Sequence, residues 1–173
     1  MLHVFLKMNK NDLSIATITW ARDEKEAALL KDALASLALL KVPVFISDGG
    51  SSESFIQFLN SFPHFHLLPA AGNGVWAQVK NSLQAAYQHS SSFVFYTEPD
   101  KKDFFENHLQ PMLQNVEVDG KSGIITASRS AAGFDTFPLF QQMTETAINN
   151  CIAEVMEVNV DYTYGPFLLH KAL

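Results

Sequence analysis

Two carboxylates flank a proline at Glu98, Pro99 and Asp100, directly after the apolar run Phe93, Val94, Phe95, Tyr96 and Thr97. Aromatic and β-branched residues ended by a proline read as a strand, because the pleat favours such side chains and proline removes a ladder donor. The strand then ends near Pro99. Side chains alternate faces with period two, so Glu98 and Asp100 leave the same side of the sheet. Carboxylates brought that close repel unless they share a cation, a proton or neighbouring lysines. The choice is between a divalent-cation site and a charged turn neutralised by Lys101 and Lys102.

The elements that must position these acids alternate along the chain. Residues 13–20, LSIATITW, form an apolar β-rich run, and residues 21–41 carry Leu29, Leu30, Ala33, Leu37 and Leu40 at helical spacing. VPVFIS at 42–47 is a second strand, DGGSS a turn, and ESFIQFLNSF at 53–62 a short helix. HFHLLP at 64–69 is a weak third strand, and Val75, Val79, Leu83 and Ala86 mark one face of a helix over 75–89. After the acidic segment come a helix at 103–115, a strand at 122–128 and a long helix at about 138–155. Apolar strands alternating with helices imply a largely parallel sheet covered on both sides, whose ligands sit beyond the carboxyl ends of the strands.

One rim therefore gathers ARDE, DGGSS, AAGNG and EPDKK, the segments that follow the first four strands. DGGSS offers the carboxylate of Asp48, two glycines for close backbone approach, and Ser51 or Ser52 as a helix cap, which suits a phosphate or nucleotide as well as an ordinary turn. Gly72 to Ala77 matches the G-x-G-x-x-A dinucleotide fingerprint but follows the third strand, where that fingerprint belongs to the first. His64 and His66 are spaced to chelate zinc, with no third ligand evident, and read as an exposed pair. Cys151 lies on an apolar helix face with Ile148, Ile152 and Val155 and reads as core.

Composition narrows the partners. The 173 residues are 47% hydrophobic and 17% charged, which fits one compact domain, and a net charge of −6 without a basic stripe argues against a nucleic-acid surface. A single cysteine allows no internal disulfide and points to a reducing compartment, the cytoplasm. The first residues, MLHVFLKMNKND, lack the build of a signal peptide, and no run is apolar for long enough to be a transmembrane segment.

In this order, the rim segments of residues 13–102 resemble the nucleotide-sugar glycosyltransferases of the GT-A fold, particularly the large inverting family that makes polysaccharides and glycolipids. WARDEKE approximates that family's P-x-x-N-E-E loop without its proline and asparagine. ISDGGSSES matches its V-D-D/G-G-S-x-D stretch without the final aspartate, and GNGVWAQVKNSL its N-x-G-x-x-x-A-x-N. EPD stands where the family has a D-x-D motif. The resemblance implies a three-layer αβα sandwich with a mostly parallel sheet, forming a single nucleotide-sugar-binding domain. It also implies transfer of a sugar from a nucleoside-diphosphate donor, of the UDP type, to an unidentified acceptor. Trp20, Ala21, Arg22 and Glu24 would frame the base, Asp48 and Gly49 would meet the base or ribose, and Gly72, Asn73 and Gly74 would pass the ribose. Asp100, with Glu98 as a weaker ligand, would hold Mg²⁺ or Mn²⁺, hard cations that suit carboxylate oxygens.

An inverting transfer also needs a carboxylate that takes the acceptor's proton, for which Glu145 and Asp161 are the candidates. Arg129 reads either as a group that greets a phosphate or as an ordinary surface arginine, and DYTYGPFLLHKAL, residues 161–173, as an aromatic platform or a core-packing turn. Two rival functions stand beside this one: a binding module without turnover, and a dinucleotide-dependent oxidoreductase built on Gly72 to Ala77.

Overall fold

The computed structural model describes residues 8–70, 72–89, 92–116 and 123–172. The N-terminal residues 1–7, residues 90 and 91 of the serine run and Ser122 of the fifth expected strand lie outside the described residues. A single 3₁₀ turn, Lys10–Asp12, leads into β1, Leu13–Thr19, followed by α1, Glu24–Ala38, and β2, Val44–Asp48. Then come α2, Glu53–Asn60, β3, Phe65–Leu68, α3, Val75–Gln88, and β4, Phe93–Tyr96. A π-helical turn, Phe104–His108, runs into α4, Leu109–Gln114, and is followed by β5, Ile124–Thr126, α5, Ala131–Phe134, α6, Leu139–Met156, and β6, Phe167–His170.

The six strands form one sheet in the order β3-β2-β1-β4-β6-β5. The first four run parallel, with Ile15 opposite Val44 and Phe95, whereas β6 is antiparallel to both β4 and β5. Strand parity sorts the core into two layers. Leu13 and Ile15 join Val44, Ile46, Phe93 and Phe95 against α1, α2 and α4. Ala16 and Val94 face α3, where Ala86 and the partly buried Val79 and Leu83 meet them. Each fully buried leucine or isoleucine of the larger layer contributes about 1.5–3 kcal/mol relative to exposure. The molecule is the expected three-layer α/β sandwich.

Three features depart from the sequence expectations. β4 stops at Tyr96, because Thr17 hydrogen-bonds the Thr97 carbonyl at 2.8 Å and the chain turns at Pro99 and Asp100. The extended geometry expected to carry both acids to one side therefore ends before them. The helix expected over 103–115 begins with a π turn; adjacent Phe104 and Phe105 are both buried there, and Pro111, which has no N–H to return to the ladder, follows. Cys151 is exposed rather than core, since α6 buries none of its residues.

Candidate active site

The rim beyond β1 and β2 is built by polar side chains that the backbone itself uses. Asp48 Oδ1 accepts the N–H groups of Gly50 and Ser51 at 2.8 and 2.7 Å, and Oδ2 accepts the hydroxyls of Thr19 and Ser51 at 2.7 and 2.6 Å. A carboxylate offers about four acceptor sites, so all of them are engaged in shaping the turn. Ser51 also accepts the N–H of Ala21 at 2.8 Å, which locks the segment after β1 to the segment after β2. The two glycines have separate reasons. Gly50 sits at φ +111°, and a Cβ on Gly49 would come within 2.9 Å of Gln78 Nε2 and 3.1 Å of the Trp20 side chain.

Gln78 was not singled out from the sequence, yet it is buried and its amide donates to the carbonyls of Thr19 and Ser47, both at 3.2 Å. It ties the ends of β1 and β2 together from α3. Its only sequence signal is a glutamine one turn into a helix whose neighbours Val79 and Leu83 face the sheet. Gly74, at φ +88°, is the N-cap of α3 and Gly72 has φ +121°, so GNG shapes the entry to α3 and leaves Asn73 exposed.

A cleft of about 410 Å³ opens above this rim, lined by Thr19, Trp20, Arg22, Gln78, Glu98 and Asp100 among others. A second hollow, of about 590 Å³, continues from Trp20, Ala21 and Arg22 to Glu24 and Gly50. Trp20 is 54% exposed between them. Arg22 pairs with Glu26 and lies 5.8 Å from the Trp20 ring centre, while Asp23 caps α1 by accepting the Glu26 N–H at 2.8 Å. Trp20, Ala21, Arg22, Glu24 and Gly49 are thus gathered on one side of the rim, with Asp48 beneath it. Gly72 to Gly74 line neither hollow.

The two acids behave differently. Glu98 is half-buried, its Oε2 is buried with no hydrogen-bond partner, and burial pushes its carboxyl up from the ordinary glutamate range. It lies against Gly165, at φ +103°, where a Cβ would run into the carboxylate. Asp100 is exposed, and Lys101 Nζ donates to its Oδ1 at 3.0 Å. Both acids line the same cleft, and an orphaned buried oxygen beside a second carboxylate is a donor set that a hard cation would satisfy. No cluster of three or more histidine, cysteine or acidic residues suited to a metal occurs among the described residues, so a cation here would need further ligands from outside the chain. His64 packs edge-on against Phe65 while His66 stacks on Phe45, so this pair is engaged with aromatic rings.

Asp100 also lines a larger cavity of about 800 Å³, bounded by Lys101, Asp103, His108, Ser128, Arg129 and Tyr164 among others. Of the sequence candidates Arg129, Glu145 and Asp161, only Arg129 lines this cavity, and it meets the other two, which do not line it. Arg129 donates from Nε to Asp161 Oδ2 at 2.7 Å and from Nη2 to Asp161 Oδ1 at 2.9 Å, and Nη2 lies 2.6 Å from Glu145 Oε2. Asn149 and Thr163 donate to the same Asp161 oxygen at 3.2 and 3.0 Å, and Gln141 donates to Glu145 at 2.7 Å. Burial pulls both carboxyls up, but the hydrogen bonds from Arg129, Asn149 and Thr163 hold Asp161 far below the usual range. Those from Gln141 and Arg129 lower Glu145 in the same direction. The guanidinium itself lies over Phe134, Phe137 and Tyr164, with ring centres at 4.7, 5.2 and 5.4 Å. DYTYGPF therefore divides its labour: Asp161 and Thr163 bind the arginine, Tyr164 packs on Phe104, and Phe167 opens β6.

No family model matches the chain, and no curated protein matches its sequence. Solved structures do. Mannosyl-3-phosphoglycerate synthase from Rubrobacter xylanophilus superposes with a TM-score of 0.61 at 15% identity, over 92% of this chain and 53% of that one. Glucosyl-3-phosphoglycerate synthase from Mycobacterium tuberculosis, in complex with Mn²⁺, uridine diphosphate and glucosyl-3-phosphoglycerate, gives 0.57 at 13% identity, over 92% and 57%. The chain spans a little over half the length of these two neighbours. It has the GT-A fold of these glycosyltransferases.

Proposed function

We propose that this chain binds a nucleoside-diphosphate sugar, of the uridine type, along the rim from Glu24 to Asp100 and transfers the sugar to an acceptor held in the larger cavity. The observation that carries the reading is the position of Asp100, which lines both the cleft beside Trp20 and the cavity beside Arg129. A group at that junction faces the bond that a transferase must break. The uridine preference draws on the uridine diphosphate bound to the fold neighbour from Mycobacterium tuberculosis.

In this reading Trp20 supplies a flat apolar face for the base, with Arg22 beside it. Gln78 and Asp48 keep the rim rigid beneath the nucleotide through their hydrogen bonds to the rim backbone. Asp100 and Glu98 would hold Mg²⁺ or Mn²⁺, which supplies positive charge against the departing diphosphate. Burial raises the Glu98 carboxyl above the ordinary glutamate range, and a cation held there would favour its ionised form, since carboxylate ligands bind metal deprotonated. Lys101, already paired with Asp100, adds a cation at the same junction.

Glu145 and Asp161, held ionised on Arg129, are poor proton acceptors, because a base works best with a pKa near the working pH. We assign them the positioning of Arg129 and of the Tyr164 wall. The acceptor's proton then passes to a group that lines the cavity; Asp103 and His108, 3.5 Å apart, are the candidates. A module that binds donor without turnover has the same cleft, and transfer or hydrolysis separates the two readings. The dinucleotide reading lacks comparable support: Val75 and Trp76, which follow Gly74, are 61% and 76% exposed.

The test is a thermal-shift series with uridine, guanosine and adenosine diphosphates and NAD, each with Mn²⁺ and with chelator. A ligand that binds only the folded state raises its stability by about 2.7 kcal/mol at a hundredfold excess over Kd. The reading expects the largest shift from uridine diphosphate with Mn²⁺. A shift from NAD alone, or none from any nucleotide, contradicts it.

A further inference from the structure

Helix α6 is built inside out. Its inward face carries Gln141, Glu145 and Asn149, all engaged in the cluster around Arg129, and none of its residues is buried. Its outward face carries Phe140, Met143 and Val155 at 82, 66 and 80% exposure. Helical spacing places these three in one stripe with Ala147 and Cys151. Thr144, in the same stripe, spends its hydroxyl on the Phe140 carbonyl at 2.9 Å. The stripe has no basic side chain, and the exposed Glu154 and Glu157 flank its C-terminal end. Contiguous apolar surface of this kind marks an interaction site.

A second apolar surface lies elsewhere on the molecule. Helix α3 covers β1, β2 and β4, and beyond it a groove of about 470 Å³ runs between α3 and β6, floored by Leu83, Val94 and Leu169 and edged by Trp76 and Tyr87. Lys80 and Lys171 line it, and neither meets a carboxylate among the described residues. Lys171 instead donates to the His89 carbonyl at 2.7 Å and lies 5.1 Å from the Tyr87 ring centre. In a chain of net charge −6 this is a local positive rim around an apolar floor.

We propose that α6 of a second copy occupies this groove, its apolar stripe on Leu83 and Leu169 and its Glu154 against Lys80. A helix with an apolar face laid in a hydrophobic groove is a recurring recognition mode, and the acids of α6 match the lysines of the rim. Each chain carries one ridge and one groove, so a two-fold pair engages both at once and closes without leaving either free.

Sedimentation of the whole chain across a concentration series tests this, with circular dichroism as the control for folding. A dimer is expected. Met143→Glu and Trp76→Ser should each raise its dissociation constant by at least about tenfold, the equivalent of 1.4 kcal/mol. Lys80→Glu and Glu154→Lys, both on exposed positions, should each weaken it, and the double variant should recover most of the loss. A monomer at every concentration overturns the proposal. So does a dimer indifferent to Met143→Glu and Trp76→Ser, and so does a double charge reversal no tighter than either single one.

Discussion

Replacing Gly165 by alanine should destabilise the protein through two separable effects. The first is conformational: φ at Gly165 is +103°, a region that costs a residue with a Cβ about 1–3 kcal/mol. The second is steric: the added methyl would run into the Glu98 carboxylate, the mobile end of a flexible side chain, so this part stays at the low end of the cost of overpacking, about 1 kcal/mol. The sum centres near 3 kcal/mol, which for a chain of this size lowers Tm by roughly 6–12 °C. In a Glu98→Ala background the steric part has nothing to act on, and the loss should fall to the conformational part alone, about 1–3 kcal/mol. Thermal and urea unfolding of the four proteins in this cycle gives the coupling directly. An equal loss from Gly165→Ala in both backgrounds would refute the packing of Gly165 on Glu98, and with it the placement of β6 behind the acidic turn.

The raised carboxyl of Glu98 fixes the sign of a pH effect: the folded state holds this proton after the unfolded state has lost it, so stability falls as pH rises from about 4.3, the unperturbed glutamate value, until the folded group also ionises. Glu98→Gln should therefore match the wild type in unfolding experiments below that pH and exceed it at pH 8, whereas a constant difference at both pH values would contradict the burial argument. Arg129→Ala leaves Glu145 and Asp161 without their cation, at side-chain exposures of 16 and 14%, and should cost about 3–5 kcal/mol in urea unfolding at pH 7. Both acids have depressed pKa values, so that stabilisation is present above the unfolded carboxyl pKa and is lost as pH falls; a variant no weaker than wild type at pH 7 would show the cluster to be dispensable.

The parallel half of the fold was legible because each of its strands is a short apolar run followed by a turn and a helix of period 3.6, signals carried within about 15 residues. Of the antiparallel half, β5 falls inside the strand expected at 122–128, but β6 was not legible. β6 is four residues, FLLH, and its place between β4 and β5 rests on pairings such as Phe93 with His170 that no local pattern announces. Its aromatic approach read equally well as a ligand platform. Cys151 was assigned to the core because an apolar face usually points inward, and α6 breaks that rule by turning its polar face to Arg129. At the site, residue types were readable and allegiances were not. Asp48 looked like a free carboxylate, and its four hydrogen-bond donors include Thr19, 29 residues away. Arg129, Glu145 and Asp161 were each found alone, and their meeting depends on the sheet edge that the sequence does not encode locally.

The most direct test of the account concerns Asp100. Asp100→Asn keeps the shape of an exposed side chain and removes its charge, so folding stability should change by less than about 0.5 kcal/mol. Uridine diphosphate titrated calorimetrically into the wild type should bind more tightly with Mn²⁺ than with chelator. In Asp100→Asn that gain should vanish, while binding in chelator stays near the wild-type value. An undiminished gain on adding Mn²⁺ to the variant would contradict the cation site and return Glu98 to Lys102 to a charged turn neutralised by its own lysines.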